Sequence, residues 1–195
     1  MNTLTLISIF LALLTPIIGV RSIYKGEYKP QRMTRFLIFI LTGIMFFSLL
    51  LQSRGAGVYL AGVQFLGSCV YFILSFKYGM GGASRLDFSV LVGVIAIGVI
   101  WSITSNPFLV LILSLGVDFI AFIPTFSKTW YYPHTESVPF YGCDVVAAMV
   151  NLIAISHIFS HDAVFSWYVL FLNLLMVLII VFRRRYFLKE KVISI

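Results

Sequence analysis

Long apolar stretches separated by short polar breaks run the length of this chain, without the period-two alternation of half-buried strands. A helix needs about 20 apolar residues to cross the hydrocarbon core of a bilayer. Seven stretches approach that length: residues 3–21, 34–52, 57–77, 88–105, 107–126, 139–160 and 164–183. The fourth is short, and only "SNP" separates it from the fifth. Asn106-Pro107 suits that break, because proline is tolerated in the first turn of a helix. The pattern predicts an all-α integral membrane protein of seven transmembrane helices with no soluble domain.

Composition agrees. The chain is 61% hydrophobic and 11% charged, against about 25% charged in a soluble domain. Helix 1 does not read as a cleaved signal peptide, having no basic flank before it and no A-x-A site after it. Cys69 and Cys143 lie in apolar runs and form neither a CxxC motif nor a disulfide framework. No cofactor is expected.

The net charge of +7 is explained by position. Thirteen of the 14 basic residues fall in alternate segments: 21–35, 77–85, Lys128 and the tail after residue 182. Arg54 alone stands on the other side. By the positive-inside rule the N-terminus is outside and the C-terminus cytoplasmic. The basic residues then serve topology and lipid headgroups rather than nucleic acid, and no fixed cation is assigned to the interior of the bundle. The expected location is a bacterial inner membrane. A homo-oligomer is left open.

Two cytoplasmic stretches read alike: "TPIIGVRSIYKGEYKPQRMTR" (15–35) and "IPTFSKTWYYPHTESVP" (123–139). Pro16 and Pro124 are 108 residues apart, Pro30 and Pro133 103, Gln64 and Asn173 109. Helices 1–3 thereby map onto helices 5–7, in the same orientation, with helix 4 as linker. Parallel repeats about a shared site are a transporter architecture. The units are residues 1–77, 78–106 and 107–195, a 3+1+3 arrangement.

With Pro30-Gln31 before helix 2, the "QFLG" of helix 3 and Asn173 in helix 7, the chain resembles the SWEET/PQ-loop transporter superfamily. The second copy departs from the motif, reading Pro133-His134. The resemblance implies a membrane carrier, not an enzyme, moving a small solute such as a sugar, amino acid or vitamin-like molecule by alternating access.

Several residues carry the chemistry. Proline inside a membrane helix removes a backbone hydrogen bond, so Pro16 and Pro124 are candidate hinges. Pro30 and Pro133 are expected to open helices 2 and 6, flanked by Gln31 and by Glu136 as a first-turn acid of helix 6. Polar groups in the bilayer usually face the bundle interior. Gln64, Asn173, Asn151, Ser68 and Tyr71 are therefore candidate solute-binding residues. Asp118 is the candidate for proton coupling, or else the partner of a nearby hydroxyl or lysine. Asp144 is expected to pair with Lys128 or to mark a helix start, and Trp101 to anchor at the interface. His157 and His161 stand at i, i+4 beside Asp162, the spacing of a metal-binding helix face. A third ligand is lacking, so an intramembrane metal hydrolase is a minor alternative and no metal is assigned. A receptor or scaffold working through its cytoplasmic loops is the other alternative.

Overall fold

The chain folds through local start and stop signals that its sequence spells out. In the computed structural model, residues 2–26, 28–52 and 55–193 are described, with side chains as far as Arg185. Arg54, expected outside, lies beyond the described residues. So do the side chains of Lys189 and Lys191.

Helix α1 (Thr3–Tyr24) starts where the Asn2 side chain accepts the Leu4 N–H at 2.6 Å. Helices α2 (Arg32–Gln52) and α3 (Ala56–Tyr78) follow. Helix α4 (Arg85–Thr104) opens on a capping box in which Ser84 and Asp87 each bond the other's backbone N–H. It ends at Ser105, in the left-handed region at φ 48°. Asn106 then accepts from the N–H groups of Phe108 and Leu109, and Pro107 occupies the first turn of α5 (Pro107–Tyr131). A 3₁₀ turn (Pro133–Thr135) leads to α6 (Val138–Ala154), and α7 (His161–Ile193) closes the chain.

Among the described residues there is no strand, and six of the seven α-helices are long and apolar enough to cross a membrane. Helix α6 has 17 residues and so reaches about 25 Å at about 1.5 Å per residue, short of the ~30 Å hydrocarbon core. The expected helix to residue 160 stops at Ala154. Residues 155–160 form a loop held by the Trp167 indole N–H, which donates to the Ile158 carbonyl at 2.7 Å. The proline pair also shifts. Pro30 lies two residues before α2, and Pro133 opens the 3₁₀ turn, while Pro139 sits in the first turn of α6.

Helix α1 packs on α6 and α3, α2 on α3 and α5, and α7 on α6 and α5. Leu37, Leu41, Met45 and Leu49 form one buried stripe of α2 at four-residue spacing, facing Val110, Leu111 and Leu115 of α5 within the main core. The opposite face of α2 is joined to α3 by an aromatic seam: Phe39 stacks on Phe65 at 5.3 Å and on Phe72 at 5.6 Å, and Phe46 on Phe65 at 5.8 Å. Helix α4 lies outside, against α5 and α2, burying only Asp87, Val90 and Ile97. Trp101 of α4 packs partly on the main core.

The basic segments meet at one end of the bundle. Met80 exchanges backbone bonds with Pro30 and Arg32, and the Arg32 side chain donates to the Ser75 and Phe76 carbonyls. In the C-terminal third of α7, Arg183 lies over the Trp130 ring and Arg184 donates to the carbonyls of Pro133 and Glu136.

Candidate functional site

A cavity of about 630 Å³ opens within the bundle, with residues from α1 through α7 in its wall. Its lining runs from Gln64, Met45 and Phe165 to Lys29, Gln31, Ser84 and Lys128 at the basic end, and does not include Ser8, Ala56, Asn151 or Ser166.

Both mid-helix prolines reach the cavity, Pro16 from α1 and Pro124 from α5. Proline offers no N–H to the carbonyl four residues back, so the Ala12 and Ile120 carbonyls lose their usual amide partners. Gly67 of α3 passes so close to Pro16 that an added Cβ would stand 3.3 Å from the proline Cβ. Gly19 is tighter still: a Cβ there would lie 2.1 Å from the Tyr71 hydroxyl. These two glycines let α1 and α3 meet beside Pro16.

Around Pro16 stands a polar wall. The Tyr71 hydroxyl donates to the Thr15 carbonyl at 3.2 Å. The Thr15 hydroxyl donates to Asp144 Oδ1 at 2.8 Å, and Gln64 Nε2 donates to the same oxygen at 2.9 Å. Ser68 shares a hydroxyl contact of 2.6 Å with Thr42 of α2. Across the cavity, the Tyr168 hydroxyl donates to Asp118 Oδ2 at 2.6 Å. Asn173 turns its amide N–H back to the Val169 carbonyl at 2.8 Å, leaving Oδ1 without a partner among the described residues.

Most residues singled out in the sequence thus share one cavity: Gln64, Ser68, Tyr71, Asn173, Asp118 and the two prolines of α1 and α5. The loop residues Gln31 and Glu136 line its mouth. Gln31 donates to Asp87 Oδ2 and to the Gly82 carbonyl, both at 3.2 Å. Pro30 and Pro133 are buried beside the mouth and offer their carbonyls to Met80 and Arg184.

Four expectations need correction. Asn151 is not in the cavity wall; it is fully buried nearer the other end, donating to Ser8 Oγ and the Ala56 carbonyl and accepting from Ser166. Asp144 does not pair with Lys128. It bonds Thr15 and Gln64, while Lys128 pairs with Glu136 at 2.9 Å. Glu136 precedes α6 instead of lying in its first turn, and it also accepts from Tyr141. His157 lies in the loop after α6 and His161 begins α7, stacked on Phe108, so the two share no helix face. Among the described residues no three His, Cys, Asp or Glu side chains gather as a metal site.

Sequence reasoning missed Arg35. By position it reads as a topology signal, yet it lines the cavity from α2. Its guanidinium lies over the rings of Tyr28 and Tyr71, 5.1 and 5.3 Å from their centroids, and donates to the Tyr28 hydroxyl. No repeat spacing or motif in the sequence sets Arg35, Thr15, Tyr141 or Tyr168 apart.

Comparison with protein-family models, with curated proteins and with solved structures gives no significant match to this chain.

Proposed function

We propose that this integral membrane protein is a carrier of the SWEET/PQ-loop kind, moving a small polar solute by alternating access between two three-helix bundles. The observation that carries the reading is the cavity itself: Gln64, Asn173, Pro16 and Pro124, paired by sequence offset, all face one space of about 630 Å³. A receptor or scaffold would need no such polar interior, and the hydrolase reading loses its histidine pair.

The packing pattern supports a duplicated unit. Exchange α1 with α5, α2 with α6 and α3 with α7, and each packed helix pair outside α4 becomes another packed pair. Thus α1 on α6 becomes α5 on α2, and α1 on α3 becomes α5 on α7. Helix α4 has no counterpart and sits at the periphery, as a linker would.

In this cycle the cavity communicates with the cytoplasm through the basic end. The far side is closed by the Asn151 cluster, which ties α6 to α1, α3 and α7. Opening outward requires that cluster to part and the basic mouth to shut, with Pro16 and Pro124 as flexure points. The amides of Gln64 and Asn173 meet the solute. Asp118, held only by Tyr168 among the described residues, is the carboxylate that exchanges a proton.

The test is exchange of labelled solutes across proteoliposomes holding the purified chain. Wild type is expected to catalyse counterflow. Gln64→Ala and Asn173→Ala are each expected to lower it about tenfold, the worth of one hydrogen bond of ~1.4 kcal/mol. Full counterflow in both variants would refute the site.

A further inference from the structure

The charges inside the cavity go beyond what a neutral polar solute needs. Lys128 and Glu136 satisfy each other, and Asp87 is taken up by Ser84, Thr34 and Gln31. Lys29 is exposed at the mouth. That leaves Arg35, Asp144 and Asp118 facing the cavity.

Arg35 has no carboxylate partner among the described residues. A guanidinium carries five N–H donors in a planar fork suited to a carboxylate. Here one goes to the Tyr28 hydroxyl, and two aromatic rings hold the plane. Asp144 uses Oδ1 for both Thr15 and Gln64, and Oδ2 has no hydrogen-bond partner among the described residues. Between the two charges stand Tyr71, whose ring lies under the guanidinium, and Thr15, which links the Tyr71 hydroxyl to Asp144. The cation and the anion share one wall without forming an ion pair.

Both come from the basic-end part of helices that the exchange of bundles relates: Arg35 is four residues into α2, and Asp144 is seven into α6. Asp144 is 4% exposed and Arg35 is partly buried. Once a solute closes over them and displaces water, each charge is costly without a counter-charge. A neutral sugar supplies neither counter-charge. An anion leaves Asp144 unpaired, and a cation leaves Arg35 unpaired.

We infer that the solute is a small zwitterion of the amino-acid class, its carboxylate on the Arg35 guanidinium and its ammonium on Asp144 beside Gln64. This deepens the carrier reading and rests on it. The charge pattern supplies the substrate class that the amides alone leave open. Both charges of the solute are matched while the cavity's net charge stays constant on loading. Asp118, on the opposite wall with Tyr168, takes no part in holding the ammonium.

Proteoliposomes holding the full chain separate this inference from the carrier reading. Two labelled mixtures are offered for counterflow: α-, β- and ω-amino acids, and neutral sugars and polyols. The zwitterion mixture is expected to exchange and the neutral one not. In wild type, unlabelled amino-acid amides and N-acetyl amino acids should compete at least tenfold more weakly than the parent compounds. Arg35→Gln should lose tenfold or more for zwitterions and shift preference toward the amides. Asp144→Asn, which keeps the shape and the oxygen that meets Thr15, should shift it toward the N-acetyl compounds. A merely structural role would lower all solutes alike. Arg35→Lys, with its charge retained, is expected to keep intermediate exchange. Exchange of sugars without amino acids overturns the substrate class and leaves the carrier intact. Unchanged selectivity in the variants, or equal competition by the blocked compounds, overturns it as well. Silence of both mixtures removes the carrier and the inference together.

Discussion

Asn151 shows what a polar side chain does when every one of its bonds is internal. Its amide meets Ser8, Ala56 and Ser166 on three other helices, with no exposed surface. Asn151→Ala leaves those groups without their partner in a medium that offers little water. The loss is expected to be on the order of 2 kcal/mol, or about 4–8 °C in the thermal midpoint of a chain this size, read by intrinsic fluorescence in detergent. A midpoint unchanged within about a degree would show that water takes over these bonds. Sequence position gave Asn151 and Gln64 the same standing, both being amides within apolar helices. Depth and facing separate them, and neither is written in a single sequence. Arg35 makes the opposite point. Counting it as a loop cation satisfied the topology rule, yet the aromatic rings of Tyr28 and Tyr71 draw it inward. Asp118 was legible as a carboxylate within an apolar helix, it is only partly buried, and its Tyr168 partner fits the hydroxyl pairing that the sequence left open.

Helix boundaries were legible where capping chemistry fixes them. Asn106-Pro107 starts α5 as expected, because side chain and proline both satisfy the first turn. Ser84-x-x-Asp87 marks the start of α4 just as plainly, but hydropathy alone placed it three residues late. The end of α6 was not legible. Residues 155–160 are polar enough for either a solvated helix end or a loop, and it is the Trp167 bond to Ile158 that holds the loop. The histidine spacing lost its meaning with it. At this scale the prolines of α1 and α5 carry the sharpest test. Pro16→Ala and Pro124→Ala restore an N–H to each helix, and both proteins are expected to fold. Counterflow should fall severalfold while solute binding, measured by thermal shift, holds within about twofold. Undiminished counterflow in both would mark the prolines as fixed kinks.

For the molecule as a whole, hydropathy was enough to read a membrane protein, since six helices meet the length and apolarity a bilayer requires. Orientation is a matter of charge bias, and it can be measured. In a Cys69→Ser, Cys143→Ser background, Asn106→Cys lies in the turn between α4 and α5, and Tyr132→Cys at the basic end. A membrane-impermeant maleimide applied to intact cells is expected to label Asn106→Cys and to spare Tyr132→Cys until the cells are opened. The reverse pattern would invert the topology and with it the side on which the cavity opens. Helices α2 and α3, joined through Phe39, Phe65 and Phe72, should move as one piece, so rearrangement must occur where α1 meets α6 and α2 meets α5.

The shortness of α6 has an electrical consequence for that cycle. In the proposed cycle, solution filling the cavity from the basic end would bring the potential of that side as far as Gln64. The membrane voltage would then fall mainly across the stretch between Asp144 and the loop after Ala154, about 15 Å of helix at ~1.5 Å per residue, half the hydrocarbon core. One elementary charge crossing it exchanges about 2.3 kcal/mol per 100 mV. A proton reaching Asp118 from the cavity side would feel almost none of that, whereas a charge passing Asn151 would feel nearly all of it.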